Sequence, residues 1–197
     1  MDEIKEKITE LRKLYLLLEN ELLTNKDPKI QKKYEETIKK YYVLREQYEE
    51  LEAIEFAKNN KVDITDGEID LYLQEYKIDN CGRNYKIFLH NTLDYVGKTS
   101  YYGKNGFFSL QGNVSCEIKK EFRGNGYALK SLKLLTDKVY EEGIDKVYIS
   151  AYENNYPSLK TIEKFGGVLV EKYKNICRYE CDLNKIKGIK FKSGKHK

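Results

Sequence analysis

Tryptophan is absent from the 197-residue chain, proline occurs twice, and histidine is found only at positions 90 and 196. The four cysteines, at positions 81, 116, 177 and 181, show no Cys-x-x-Cys spacing. Structural zinc sites use closely spaced Cys and His ligands, so the sequence predicts no metal site. Cys177 and Cys181 fall four apart in a predicted strand, where a metal pair or a disulfide is conceivable. Reduced thiols that pack as small apolar groups are the preferred interpretation.

Long apolar runs are also missing. No run approaches the ~20 residues that span a bilayer. The chain opens with Met1, Asp2 and Glu3 and shows neither an apolar leader segment nor a small-residue cleavage site. We therefore expect a cytoplasmic protein with no membrane contact. Hydrophobic residues make up 40% of the chain, which is enough for a core.

The positive charge is concentrated at one end. The last thirteen residues, 185–197, hold six lysines and no acid, so removing them from the net charge of +4 leaves about −2 for the rest. A solvated basic tail is the preferred interpretation. Nucleic-acid binding through this tail is the alternative, and it would show a steep salt dependence.

Two amphipathic helices are predicted within residues 1–57. Apolar residues recur at alternating spacings of four and three, which gives one seam along each helix. The pattern breaks at Asn25–Pro28, where Asp27 suits a helix N-cap and Pro28 a first helical position. We predict an antiparallel, coiled-coil-like hairpin that either covers the acceptor side of the main domain or forms a homodimer contact. The seam residues are Ile4, Ile8, Leu11, Tyr15, Leu18 and Leu22, then Tyr34, Thr37, Tyr41, Leu44, Tyr48 and Leu51.

A second domain is predicted over residues 69–184, after a linker at 58–68. Its first half shows period-two alternation and its second half alternates strands with amphipathic helices. This order predicts an α/β (α+β) fold with a mixed, mostly antiparallel sheet, a central parallel pair and flanking helices. Strands are predicted at 69–78, 85–90, 95–102, 113–119, 147–151, 168–173 and 176–183. Helices are predicted to end at Gly143 and at Gly166.

The segment Arg123-Gly124-Asn125-Gly126-Tyr127-Ala128 lies between a predicted strand and a predicted helix. Two glycines let the backbone approach an anion, and the N–H groups at a helix N-terminus bind phosphate. No Lys-Ser/Thr follows, as a Walker loop requires, and Leu129 replaces the third glycine of a dinucleotide fingerprint. The residue types of this segment, taken alone, also fit a plain tight turn.

This segment resembles the Arg/Gln-x-x-Gly-x-Gly/Ala signature of the GNAT superfamily of N-acetyltransferases. A second segment, Asn155–Gly167, is similar to the Asn-x-x-Ser-x-x-x-Ile-Glu-Lys-x-Gly-Gly pattern of a predicted-acetyltransferase branch. The resemblance spans roughly residues 69–183. It implies an acetyl-CoA-dependent enzyme that acetylates an amine by direct attack in a ternary complex.

The resemblance also implies roles for individual residues. Arg123, Gly124, Asn125, Gly126, Tyr127 and Ala128 would hold the pyrophosphate of acetyl-CoA. Ile118 and Lys119 would meet the pantetheine arm, and Asn155 and Ser158 would lie beside the cofactor. Glu117 is the candidate general base, with a solvent-facing carboxylate as the alternative. Tyr156 is the candidate acid and Tyr152 a second one.

The chain departs from the family pattern at two places. Ile162 stands where many relatives carry a proton-donating tyrosine. Only residues 79–84 separate the first two predicted strands, where relatives have two helices. A CoA-binding module without catalysis, acting through its helical hairpin, is therefore the alternative function. Cys116 is a poor candidate nucleophile because no histidine accompanies it in a recognisable motif. The class of amine acceptor cannot be read from the sequence.

Overall fold

A computed structural model describes residues 1–75, 82–103, 112–187 and 189. It divides the chain into two compact units, residues 1–59 and 60–197. Several predicted features lie outside the described residues. They are residues 76–78 of the first predicted strand, most of the loop 103–112, Cys81, and the basic tail from residue 190 onward.

The first unit is the predicted helix pair. Helix α1 (Asp2–Thr24) and helix α2 (Pro28–Asn59) flank a three-residue turn. Asp27 caps α2, because its carboxylate accepts a hydrogen bond from the N–H of Lys29 at 2.8 Å. The rings of Tyr15 and Tyr41 pack at a centroid distance of 5.1 Å, which places the predicted seam between the two helices. The helical hairpin is therefore confirmed.

The second unit begins with a five-stranded antiparallel sheet. Its strands lie in the order β1 (Ile64–Thr65), β2 (Ile69–Glu75), β3 (Arg83–Leu89), β4 (Tyr95–Tyr101) and β5 (Val114–Ile118). Glu75 pairs directly with Arg83, so the two helices of the family pattern do not fit between β2 and β3. The short strand β1 lies within the segment predicted as a linker.

A three-stranded antiparallel sheet follows, in the order β6-β8-β7. Its strands are β6 (Lys146–Tyr152), β7 (Val168–Tyr173) and β8 (Ile176–Asp182). Strands β7 and β8 form the predicted hairpin, with Lys174 in its turn at a φ of +51°. A short helix α5 (Leu183–Ile186) was not predicted, and Asp182 caps it.

Two helices cover the inner faces of these sheets and form the core with them. Helix α3 (Tyr127–Glu141) connects β5 to β6, and helix α4 (Tyr156–Phe165) connects β6 to β7. The face of α3 that carries Leu132, Leu135 and Val139 is buried, as the spacing of these residues predicts. A short 3-10 turn at Lys120–Phe122 leads from β5 toward α3.

The predicted central parallel pair requires a correction. All six ladders among the described strands are antiparallel, and β5 and β6 share none. An isolated bridge between Gly112 and Ile149 joins the two sheets instead. The predicted class of fold, a largely antiparallel sheet flanked by helices with a preceding helix pair, is confirmed.

Candidate functional site

The separation of β5 from β6 opens a cleft of about 730 Å³. One wall is β5 from Val114 to Ile118, and the other is β6 from Ile149 to Tyr152. The first turns of α3 and α4 complete the lining. The predicted site residues that line the cleft are Glu117, Ile118, Arg123, Gly124, Gly126, Tyr127, Ala128, Asn155 and Ser158. Lys119, Asn125 and Tyr156 adjoin these along the chain but are not among the described lining residues.

The edge of β5 that faces the cleft carries main-chain groups that no described strand pairs. The N–H of Lys119 donates to the carbonyl of Val96 in β4 at 2.9 Å. Residues of an antiparallel ladder turn these groups alternately toward and away from the neighbouring strand. The groups of Glu117 therefore face β4, and those of Cys116 and Ile118 face the cleft. Of the two residues predicted to meet pantetheine, Ile118 lies on the open edge, whereas the N–H of Lys119 belongs to the ladder.

The glycine-rich loop brings the N-terminus of α3 to the cleft. Gly126 is the N-cap of α3 at a φ of +82°, and no described side chain caps this helix end. Gly124 has a φ of +86°. The first N–H groups of a helix have no partner within the helix and carry partial positive charge. Gly124, Gly126 and Tyr127 line the cleft, so this helix N-terminus borders it, an arrangement that suits a phosphate group.

Two side chains of this loop hold it in place. The Nε of Arg123 donates to the carbonyl of Ile118 at 2.9 Å, which ties the loop to the end of β5. The Nδ2 of Asn125 donates to the carbonyl of Phe122 at 3.3 Å. The ring of Tyr127 is buried in the core. Asn125 and Tyr127 can therefore bind an anion through their main-chain N–H groups.

The N-terminus of α4 meets the cleft from the other side. Asn155 is its N-cap, and its side-chain oxygen accepts from the N–H of Ser158 at 3.4 Å. Tyr156 is 67% exposed, and its neighbours Asn155 and Pro157 both line the cleft. Ile162 lines the cleft and is buried. An apolar side chain thus occupies the position where relatives carry a tyrosine.

Glu117 and Cys116 lie on opposite faces of β5. The Cys116 sulfur is 3.2 Å from the Ser131 hydroxyl of α3. The Glu117 carboxylate is therefore on the face away from α3, where it is 69% exposed and lies 3.3 Å from the ammonium of Lys98. This placement leaves it accessible to an amine that approaches the cleft from that face.

Four hydroxyl-bearing residues of the cleft were not predicted as part of it: Tyr102, Ser115, Ser150 and Thr161. Tyr102 and Ser115 both line it, and their hydroxyl groups are 3.0 Å apart. Ser150 of β6 lines the opposite wall. Strand alternation could have placed Ser115 on the face of Glu117, two residues away. Nothing local to the sequence marks Tyr102 or Ser150, because the cleft brings together strands that are distant along the chain.

A family model described as acetyltransferase (GNAT) domain matches residues 21–168. The chain belongs to the GNAT acetyltransferase family. This confirms the family inferred from the two motifs. The search among curated proteins found no match.

Solved structures of N-acetyltransferases resemble the chain. One is RimL, a ribosomal alpha-N-protein acetyltransferase in complex with coenzyme A, at 19% identity and a TM-score of 0.43. This likeness covers 52% of the present chain and 63% of RimL, which is less than two thirds of that protein. Another is spermidine N-acetyltransferase from Vibrio cholerae in complex with CoA and spermine, at 16% identity and a TM-score of 0.47. It covers 55% of the present chain and 70% of the enzyme.

Two further properties concern the described ranges only. None of the helices found there combines the length and the apolar character needed to cross a membrane. In the same ranges, no three His, Cys, Asp or Glu side chains are grouped so that they could hold a metal ion.

The thiol of Cys116 is held in its neutral form. Burial raises its pKa from the ordinary 9.0 to about 11, although hydrogen bonds with Ser131 and Thr99 oppose this change. At neutral pH almost no thiolate is present, and the thiolate is the nucleophile. Cys116 is therefore a poor nucleophile in the folded protein.

The reactivity of Cys116 tests this point. We expect iodoacetamide at pH 8 to modify it roughly a hundredfold more slowly in the folded protein than in urea, because its pKa is about two units higher. Mass spectrometry of the peptide that contains Cys116 measures the rate. Below pH 11 the rate in the folded protein should rise about tenfold per pH unit. Equal rates in folded and unfolded protein at pH 8 would mean that thiolate is present.

Proposed function

We propose that this chain is an acetyl-CoA-dependent N-acetyltransferase that acetylates a primary amine by direct attack in a ternary complex. The observation that carries the proposal is the cleft. It joins a helix N-terminus that no described side chain caps to a strand edge that no described strand pairs. These two features bind the two chemically different parts of acetyl-CoA, the phosphates and the amide-bearing pantetheine arm.

The loop Arg123–Ala128 is the proposed pyrophosphate site. Its contribution is mainly backbone N–H groups, which are held in place by the positive φ of Gly124 and Gly126. The guanidinium of Arg123 adds a cation that lines the cleft. Asn125 and Tyr127 contribute main-chain rather than side-chain groups.

The open edge of β5 is the proposed pantetheine site. Amide groups of the arm can pair with the main chain of Ile118 and Cys116, as another strand would. Lys119 takes part by fixing β5 to β4 through its N–H. Asn155 and Ser158 border the arm from the N-terminus of α4. The cofactor thus takes the place of a strand along the edge of β5 that no described strand pairs.

The proposed reaction needs a neutral amine and a stabilised oxyanion. An alkyl amine with a pKa near ~10.4 is mostly protonated at neutral pH, so Glu117 takes up its proton directly or through water. The nitrogen then attacks the thioester carbonyl and a C–N bond forms. An N–H of the open β5 edge stabilises the oxyanion. Collapse of the intermediate breaks the C–S bond, the cationic nitrogen of the new C–N bond releases its second proton to solvent, and the departing thiolate takes a proton from a donor.

The departing thiolate needs a proton donor. Tyr156 stays the candidate acid, next to two lining residues, and Tyr152 lines the cleft itself. The buried Ile162 occupies the usual position of the donor. This observation favours the alternative function, a CoA-binding module that does not turn over. Release of free thiol that depends on an added amine separates the two functions.

The phosphate site can be tested with a matched pair of glycines. Gly124 and Gly143 have φ of +86° and +83°, and an added Cβ meets no atom within 4 Å at either position. Gly124→Asp places a carboxylate against the bound phosphates, so we expect the Kd for CoA, measured by calorimetry, to rise roughly 100-fold. Gly143→Asp imposes the same backbone strain at the far end of α3.

The Gly143→Asp variant should bind CoA with a Kd within about threefold of wild type, because distant sites act independently. Equal weakening by the two variants would assign the loss to backbone strain. Unchanged binding in Gly124→Asp would overturn the placement of the phosphate site.

Catalysis is tested by the release of thiol from acetyl-CoA. The wild-type protein is screened with a protein N-terminus, a protein lysine, a polyamine, an aminoglycoside and an amino acid. With the best acceptor we expect Glu117→Gln to lower kcat roughly 100-fold, the range of a lost general base. In this variant we expect the activity to keep increasing to a higher pH than in wild type. The reason is that only amine that solvent has already deprotonated can react.

A matched control is Glu171→Gln, which removes an exposed carboxylate of β7 that pairs with Arg178. This variant should keep wild-type turnover. A normal kcat in Glu117→Gln would remove Glu117 from the reaction. CoA binding without turnover of any amine would support the alternative module.

The hairpin is the surface we propose for a second copy of the chain. Leu16 and Leu23 lie one heptad apart on α1 and are 42% and 78% exposed. We expect the double variant Leu16→Glu, Leu23→Glu to sediment as a monomer, whereas the wild-type protein sediments as a dimer. A monomeric wild-type protein contradicts this assignment.

A further inference from the structure

The junction between the two sheets depends on one side chain. The N–H of Asn113 donates to the carbonyl of Tyr148 at 2.9 Å. In return, the Oδ1 of Asn113 accepts from the N–H of Tyr148 at 2.8 Å. Two residues that exchange both bonds in this way form the unit of an antiparallel ladder. Here a side-chain carbonyl supplies one of the two acceptors.

The side-chain oxygen serves as the acceptor because the main-chain carbonyl of Asn113 already accepts another hydrogen bond. It accepts from the N–H of Tyr102, at the end of β4, at 2.8 Å. The Nδ2 of Asn113 also donates to the carbonyl of Gly103 at 3.5 Å. One asparagine therefore holds the end of β4 through its main-chain carbonyl, and β6 through both its main-chain N–H and its side-chain oxygen.

The neighbouring residue brings the strands close together. Gly112 forms the isolated bridge to Ile149. A Cβ at Gly112 would lie 2.5 Å from the carbonyl oxygen of Tyr148, closer than any real side chain allows. Its φ of +86° is likewise one that glycine adopts readily. The backbone contact at this point is thus fixed by glycine, and its polar pairing by asparagine.

Tyr148 is itself anchored on the β6 side. Its hydroxyl donates to the carboxylate of Glu180 at 2.9 Å, and its ring lies 4.3 Å from the guanidinium of Arg178. Both partners belong to β8, which pairs with β6 along seven residues. A shift at Asn113 is therefore passed to the three-stranded sheet as a whole.

The cleft starts at this junction. The lining residues of β5 begin at Val114 and those of β6 at Ile149, each next to a member of the junction. We propose that Asn113 is a positioning residue, whose side-chain amide sets the separation of β5 and β6 and so aligns thioester and amine. Its effect on turnover rests on the proposed acetyl transfer, whereas its effect on the junction does not.

Two substitutions separate the acceptor oxygen from the rest of the side chain. Asn113→Asp keeps an oxygen at the position of Oδ1, but it replaces the Nδ2 donor to the carbonyl of Gly103 with a second acceptor and adds a negative charge. Asn113→Leu keeps the size and shape but leaves the N–H of Tyr148 without this acceptor, which is costly for a group away from water. Rescue by aspartate is not expected if asparagine serves only to fill space.

The first measurement is hydrogen exchange of the Tyr148 amide in the intact protein, without ligand. We expect exchange at least roughly tenfold faster in Asn113→Leu than in wild type, and close to wild type in Asn113→Asp. The control is Asn84→Leu. The Asn84 side chain bonds Ser100 and Gln74 inside the five-stranded sheet, so its loss should leave the Tyr148 amide protected.

The second measurement is steady-state kinetics. For Asn113→Leu we expect kcat to fall roughly 10- to 100-fold, as for a misaligned reaction. Asn113→Asp and Asn84→Leu should retain kcat within about threefold.

Either of two results would overturn the proposal. One is a protected Tyr148 amide in Asn113→Leu, and the other is an aspartate variant as impaired as the leucine variant. If wild type acetylates no amine, the acetyl-transfer function fails. The exchange experiment then still decides whether Asn113 holds the junction.

Discussion

The broken hydrogen bonding between β5 and β6 is the feature on which the site depends. A strand inside a sheet normally pairs along both edges, because main-chain N–H and C=O groups away from water need partners. β5 is paired to β4 along its whole length but meets β6 only through the junction beside its first residue. Beyond the junction the strands diverge, and the open edge of β5 becomes available for the amide-bearing arm that we propose binds there.

An open edge is useful only if β5 stays rigid, and close contact with β4 provides that rigidity. Gly97 of β4 lies opposite Ile118, and a Cβ at Gly97 would fall 2.1 Å from the carbonyl oxygen of Glu117. The hydroxyl of Thr99 adds a bond to the carbonyl of Ser115 at 2.9 Å. The two strands are thus closer together than side chains would allow, and β5 can lose its other partner without losing its position.

The sequence was informative wherever the determining pattern is local. The seam of α1 and α2, the Asp27 cap and the glycines before α3 predicted elements that the structure contains, because periodicity, capping and positive φ act within a few residues. The family was likewise recognisable from two short motifs. Asn113 and Tyr148 are 35 residues apart along the chain, so no local pattern could predict their pairing. For the same reason the sequence led to an incorrect parallel pair, since strand order alone does not say whether two strands form a ladder.

The site residues likewise fall into those that a local motif predicts and those that the fold brings to the cleft from elsewhere in the chain. Arg123, Gly124 and Gly126 line the cleft as the motif predicts, whereas Tyr102 and Ser150 reach it from distant strands. The side chains of Lys119 and Asn125 lie next to the described lining rather than in it. A motif identifies a segment, but which of its side chains face the cleft depends on the ladder and on the helix start.

The bond from Arg123 to the carbonyl of Ile118 connects the two halves of the proposed cofactor site. Ile118 lies on the edge of β5 that faces the cleft, so its carbonyl would be left without a partner where β6 has diverged. The guanidinium supplies that partner at 2.9 Å and remains among the lining groups of the cleft. The same divergence that opens the strand edge therefore also fixes the phosphate loop. Because a hydrogen bond to a charged group is stronger than a neutral one, this contact can hold the loop in position before any anion binds.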